Sequence, residues 1–177
     1  MTDKTPYETV NLDRVGYGTA TFPWSRARDQ LAAEPVDVVA VPYFLSTAGP
    51  DGAPHTVGIG ALWDDGDLYF TSGPGTRKSR HLAANPACTI AVRLPDLDLV
   101  LDGEAVRTTE ASTLERVAAR YRARGWPAEA TDDGFTAPFS APSAGPPPWY
   151  LYRFAFRTAV GVGIKEPEGA TRWRFER

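Results

Sequence analysis

Apolar and polar positions along this chain change period several times, and each change marks an element. Trp24, Ala27 and Leu31 recur at helical spacing and Pro35 ends the run, which predicts a short amphipathic helix. "VDVVAVPYFLST" (36–47) is dense in β-branched and aromatic residues and reads as a strand. "GPDG" is then a turn, "PHTVGIGALW" (54–63) the return strand, "DDGD" a second turn and "LYFTS" a third strand, so this region predicts a meander. A glycine-rich loop leads into a short helix ending near Asn85-Pro86.

"CTIAVRL" and "LVLDGEAVRT" follow as strands around a "PDLD" turn. In the second, Leu99, Leu101, Gly103 and Ala105 alternate with Val100, Asp102, Glu104 and Val106, a mostly apolar face against a mixed one. "STLERVAARYRARG" carries the strongest helical period, with Leu114, Val117, Ala118 and Tyr121 as its stripe. Ser112 and Glu115 fit a capping box, and Gly125 fits the stop. Residues 127–148 are rich in Pro, Ala and Ser and read as a long irregular segment. "WYLYRFAF" puts Tyr150, Tyr152, Phe154 and Phe156 on one face, "TRWRFE" closes the pattern, and residues 1–23 read as an extended arm. Roughly seven strands with hairpin connections predict a mainly β protein, a closed antiparallel barrel with short helices at its rim.

At 177 residues, with 42% hydrophobic and 23% charged positions, the chain is expected to form one globular domain over 1–177. A net charge of −3 argues against a general grip on nucleic acid. No apolar run approaches the ~20 residues of a membrane span. The polar start "MTDKTPYETVNLD" lacks the layout of a secretory signal, so a cytoplasmic protein is expected. Cys88 is the single cysteine and reads as a small core residue, which excludes an internal disulfide. His55 and His81 have no partner at metal-ligand spacing, so no metal site is expected.

One stretch carries candidate chemistry. In "TSGPGTRKSRHLAANP" (71–86), Thr76 is placed to cap a helix, yet Arg77, Lys78 and Arg80 crowd its positive end. Walker A chemistry is excluded because Arg77 stands where a glycine must precede the lysine. The placement makes sense if a phosphate normally meets the free N–H groups, the helix dipole and the cations together. The alternative is a solvated basic helix face. "GIG" (58–60) and "GVG" (161–163) lack the rest of a dinucleotide fingerprint and read as glycines that let a strand bend or admit a close neighbour.

"DGAPHTVGIGALWDDGDLYFTSGPGTRKSRHLAANPACTIAV" resembles the core of the pyridoxamine 5′-phosphate oxidase-like proteins, the flavin-binding split β-barrels. The likeness extends through "LVLDGEAVRTTE", the helix at 112–124 and the final "TRWRF", with "TRKSRHLAANP" its most specific part. It implies an antiparallel split β-barrel with short rim helices and a homodimer with the cofactor between subunits. The branch it most resembles uses coenzyme F420 or FMN. By this resemblance Arg77 and Lys78 hold the cofactor phosphate, Gly75 and Thr76 add loop contacts, and Thr71 and Ser72 sit beside them. His55, Thr56, Val57 and Gly58 run along the ring, and Arg80 reaches the acidic tail of F420. The function implied is an F420H2-dependent reductase of a small unsaturated organic substrate, with an FMN-dependent oxidoreductase or a non-catalytic flavin or haem carrier as alternatives. No catalytic acid or base is assigned. The chain departs from true pyridoxamine phosphate oxidases at Gly60, where they carry a basic residue, and lacks their C-terminal arginine motif, which argues against vitamin B6 oxidation.

Overall fold

The computed structural model describes residues 4–13, 20–33, 43–141 and 144–176. Along the chain lie β1 (Glu8–Asn11), α1 (Ser25–Ala32), β2 (Tyr43–Ala48), β3 (Pro54–Ile59), β4 (Ala61–Asp64) and β5 (Asp67–Ser72). There follow α2 (Arg77–Ala84), β6 (Ala87–Arg93), β7 (Leu97–Thr108), α3 (Ala111–Ala123), a small hairpin of β8 (Glu129–Ala130) and β9 (Phe135–Thr136), β10 (Tyr150–Gly163) and β11 (Gly169–Arg174).

The aromatic run read as one short strand continues through "RTAVGVG", and the resulting β10 organises the sheet. One of its edges pairs with β7 from Leu151 to Gly163, with a register shift between Phe156 and Thr158. Its other edge is shared: Tyr150–Phe154 pair with β5, and Thr158–Gly163 pair with β11. The order β1-β11-β10-β7-β6-β2-β3 is antiparallel throughout, with the β4–β5 hairpin branching from β10. Among the described residues the sheet does not close, so the barrel is split rather than continuous.

Period-two alternation sorts side chains into two cores. Phe70 of β5 and Phe154 and Phe156 of β10 pack with Leu45, Ile90, Leu99 and Trp173 in the main core. Tyr69 and Leu151, on the opposite faces of the same two strands, face Leu114, Val117 and Tyr121 of α3 in the second. Trp24, just ahead of α1, lies edge-on to Trp173 and Phe175 at 5.4 and 4.8 Å between ring centroids. At Gly161 a Cβ would stand 2.8 Å from the Trp173 ring, so this glycine of "GVG" does admit a close neighbour.

Several expectations change. The meander is interrupted at Gly60, where the predicted return strand divides: β3 pairs with β2, whereas β4 pairs with β5. Residue 60 is thus the point where the chain passes from one part of the sheet to another, which a glycine's small size permits. Helix α3 is capped by Glu110 rather than Ser112, the carboxylate accepting the Thr113 N–H at 3.0 Å, and Glu115 instead meets Arg122 at 2.9 Å. The arm contributes β1 at the edge beside β11. The first part of the strand expected at 36–47 lies outside the described residues, and its remainder is β2.

Candidate anion-binding site

Helix α2 begins at Thr76, whose backbone is extended (φ −74°, ψ 156°) and whose Oγ1 accepts the Ser79 N–H at 3.3 Å. Such a cap contributes typically ~1 kcal/mol. The same hydroxyl donates to the Gly73 carbonyl at 2.9 Å and lies 2.8 Å from Ser72 Oγ, to which Ser79 Oγ donates at 2.8 Å. Three hydroxyls therefore lash the end of β5 to the loop and the first turn of α2. Ser72 and Ser79 are buried in this network and spend their hydroxyls on the loop itself.

What the network holds in place is a cationic end. The first turn of α2 contains no acidic residue. Among the described residues no carboxylate pairs with Arg77 or Lys78, and no acceptor meets their backbone N–H groups. Lys78 is half-buried, and burial lowers its pKa, the mark of an ammonium held partly out of water with no counter-charge. Together with His55, Val57, Gly75, Thr76 and Ala144, these two cations line a groove of about 450 Å³.

His55 enters this groove from β3, opposite Thr47 of β2. Its half-buried position, and then the charges of Arg77, His81 and Lys78, hold its pKa below the ordinary histidine value. The His81 ring, from the second turn of α2, meets it edge-on at 5.9 Å between centroids. The buried Thr47 hydroxyl fixes that ring by a 3.0 Å contact with its Nδ1. Ala144 comes from the irregular 127–148 segment and sits so tightly on the loop that a Cβ on Gly73 would lie 2.2 Å from its carbonyl oxygen.

The structure thus brings His55, Val57, Gly75, Thr76, Arg77 and Lys78 to one place, with Ser72 directly behind them. Thr56 and Gly58 lie on the opposite face of β3, where the Thr56 hydroxyl is 2.8 Å from Ser46, so only their backbone is shared with the groove strand. Thr71 alternates away from Ser72 toward Tyr121 of α3. Arg80 folds back so that its Nη1 donates to the Gly75 carbonyl at 2.5 Å. Its side chain lines a second groove of about 520 Å³ with Arg107, Tyr150 and Tyr152.

Sequence reasoning missed Thr47 and Ala144, and it did not join His81 to His55. The turn at "GPDG" sets Thr47 against His55 and could have given the first; nothing local announces the second. Among the described residues there is no cluster of three or more metal-ligating side chains, and no helix is long and apolar enough to cross a membrane.

Comparison with known proteins bears on this arrangement. Similar solved structures include a pyridoxamine 5′-phosphate oxidase-related, FMN-binding protein from Nostoc punctiforme PCC 73102, at 17% identity over 86% of this chain and 91% of that one, with a TM-score of 0.56. A protein from Bacteroides thetaiotaomicron described as a 5-nitroimidazole antibiotic resistance protein is 14% identical over 96% and 92%, with a TM-score of 0.56. A NimC/NimA family protein from Clostridium acetobutylicum is 17% identical over 84% and 91%, with a TM-score of 0.55. At these identities the likeness is one of fold. No curated protein matches the chain. The family model for pyridoxamine 5′-phosphate oxidase matches residues 40–144, more than half of the chain, with β3, the capped loop and Arg77-Lys78 all inside the match. The chain belongs to the pyridoxamine 5′-phosphate oxidase family.

Proposed function

We propose that this protein is an oxidoreductase that anchors a flavin or deazaflavin by its phosphate at the start of α2 and passes a hydride to a small unsaturated organic molecule. Family membership supports a flavin-dependent oxidoreductase in general terms. The observation that carries the finer reading is the pair Arg77 and Lys78, without a carboxylate partner among the described residues, at a capped helix start inside a groove.

The cofactor, when bound, supplies the hydride chemistry, and the protein's part is placement and electrostatics. Arg77 and Lys78 neutralise the phosphate, and the first-turn N–H groups donate to it. The Ser72–Thr76–Ser79 hydroxyls keep those groups in position before anything binds, so little ordering is required on binding. Strand β3 ends the sheet order with no partner on its outer edge among the described residues, which leaves backbone donors and acceptors for the polar rim of a planar ring.

Of the two cofactors, the geometry supports FMN best. The acidic tail of F420 needs Arg80 beside the phosphate site, and Arg80 turns instead to Gly75 and a different groove. F420 is the second reading, favoured by that same groove: Arg80 and Arg107 would give its acidic tail two guanidinium groups across α2. The absorption spectrum of protein purified from a host that makes both cofactors separates them. Bound cofactor without turnover for any pair of reductant and acceptor would make the protein a carrier.

We also propose a homodimer. On the outer face of the sheet Gly58, Phe44, Ala91, Val100 and Val160 stand side by side in register across five strands. Phe44 is 46% exposed and Val100 37%, so an apolar row faces outward beside the cofactor strand. A second copy meeting it face to face would cover both rows by symmetry.

A further inference from the structure

The chain has two histidines, and both stand at the anion groove. His55 lines it, His81 lies edge-on behind His55, and Thr47 holds His81 from β2. The charged groups facing His55 are Arg77 and Lys78, with His81 beside them on α2. β2 presents only the Thr47 hydroxyl, and the 127–148 segment presents Ala144. The nearby carboxylate, Asp51 in the β2–β3 turn, accepts the Ala53 N–H at 3.1 Å and flanks Gly49 with the Nε2 side of His81, not His55. His55 therefore has cations for neighbours in a groove whose charge suits an anion.

We propose that His55, braced by His81, is a specificity-determining residue of the groove, which takes up a proton from solvent together with a phosphate monoester dianion and so favours a monoester over a diester. This rests on the phosphate-anchoring reading above and deepens it. Without an anion, burial first and then the charges of Arg77, His81 and Lys78 disfavour a proton on His55. A dianion between the two cations cancels their net charge, and the imidazolium becomes a third charged donor to the phosphate. A diester carries one negative charge fewer, leaves a net positive charge on Arg77 and Lys78, and so leaves His55 neutral. FMN ends in a monoester, whereas the phosphate of F420 is a diester, so the histidine acts on the difference between the two cofactors at the phosphate itself.

The test uses the whole protein and two minimal probes, methyl phosphate and dimethyl phosphate. With two histidines, the ring resonances are followed by NMR through pH 5.5–9, and His55→Gln assigns them. Methyl phosphate should raise the His55 midpoint by about one pH unit, and dimethyl phosphate should leave it within a few tenths. The linked uptake means that FMN affinity in the wild type rises about two- to threefold from pH 8.5 to 7, while His55→Gln flattens this dependence and F420 affinity shows no such rise. An unmoved midpoint with saturating methyl phosphate, equal shifts with both probes, or no binding of methyl phosphate overturns the proposal. Failure of FMN and F420 to bind while methyl phosphate still moves His55 would remove the cofactor reading and leave the proton uptake standing. FMN binding with His55 unmoved would do the reverse.

Discussion

The carbonyl oxygen of Ala144 occupies the space beside Gly73 where any side chain would begin, 2.2 Å from the position of a Cβ. Two segments far apart in sequence are in backbone contact there, one forming the cap of α2 and the other the rim of the groove. Gly73→Ala should push the 144 segment off the loop at an overpacking cost of about 1–3 kcal/mol. Thermal unfolding and cofactor titration should both register it. An alanine variant with unchanged melting temperature and affinity would mean that this contact positions nothing.

Arg77→Ala and Lys78→Ala should each weaken cofactor binding by about 1.5–3 kcal/mol, the range for charged hydrogen bonds. Stability should hold or rise slightly, because like charges at the positive end of α2 are relieved. Quenching of cofactor fluorescence gives the affinity and chemical denaturation gives the stability. Equal affinity in the double variant would return this segment to a solvated basic helix end.

The outward apolar row predicts the state of assembly. Phe44→Asp and Val100→Lys should each convert a dimer to monomer at micromolar concentration, because a C2 interface meets each substitution twice. Sedimentation velocity reads this directly. A wild type that sediments as a monomer with cofactor bound would end the dimer proposal.

Cys88 should be chemically silent. Burial pushes its thiol pKa up to about 12, the Ala105 backbone only partly offsetting this. The reactive thiolate is therefore scarce at every pH below that value. Maleimide labelling at pH 8 should be negligible in the native state and complete in denaturant. Rapid native labelling would show that β6 opens far more readily than its place between β2 and β7 implies.

The groove's cationic wall was legible because its signals are local: a capping threonine, glycines before it and cations where a helix disfavours them. Positions within β7 and β10 were legible for a similar reason, since alternation alone sorts Leu101 from Asp102 and Phe154 from Arg153. What escaped depends on pairing at a distance. Nothing within "PHTVGIGALW" says that Ile59 and Ala61 answer to different partner strands. Arg80 shares a helix side with Arg77 by spacing, yet the Gly75 carbonyl captures it. Glu110 outcompeted Ser112 as the α3 cap because its carboxylate accepts from the Thr113 N–H and from the hydroxyls of both Ser112 and Thr113.

The shared edge of β10 has a consequence for the order in which the protein can be made. Every residue with a side chain or backbone in the cationic end of α2 has left the ribosome once Asn85 emerges, but β5, which carries Ser72 into it, has by then only the short β4 beside it. Its second neighbour, Tyr150–Phe154, is synthesised only after α3 and the β8–β9 hairpin, and Ala144 arrives scarcely earlier. A nascent chain stalled after α3 therefore displays the whole "GTRKS" sequence just beyond a strand missing one side of its sheet. On the proposed reading, phosphate anchoring waits for β10 to pair with β5, and cofactor capture doubles as a report that translation has passed the end of β10.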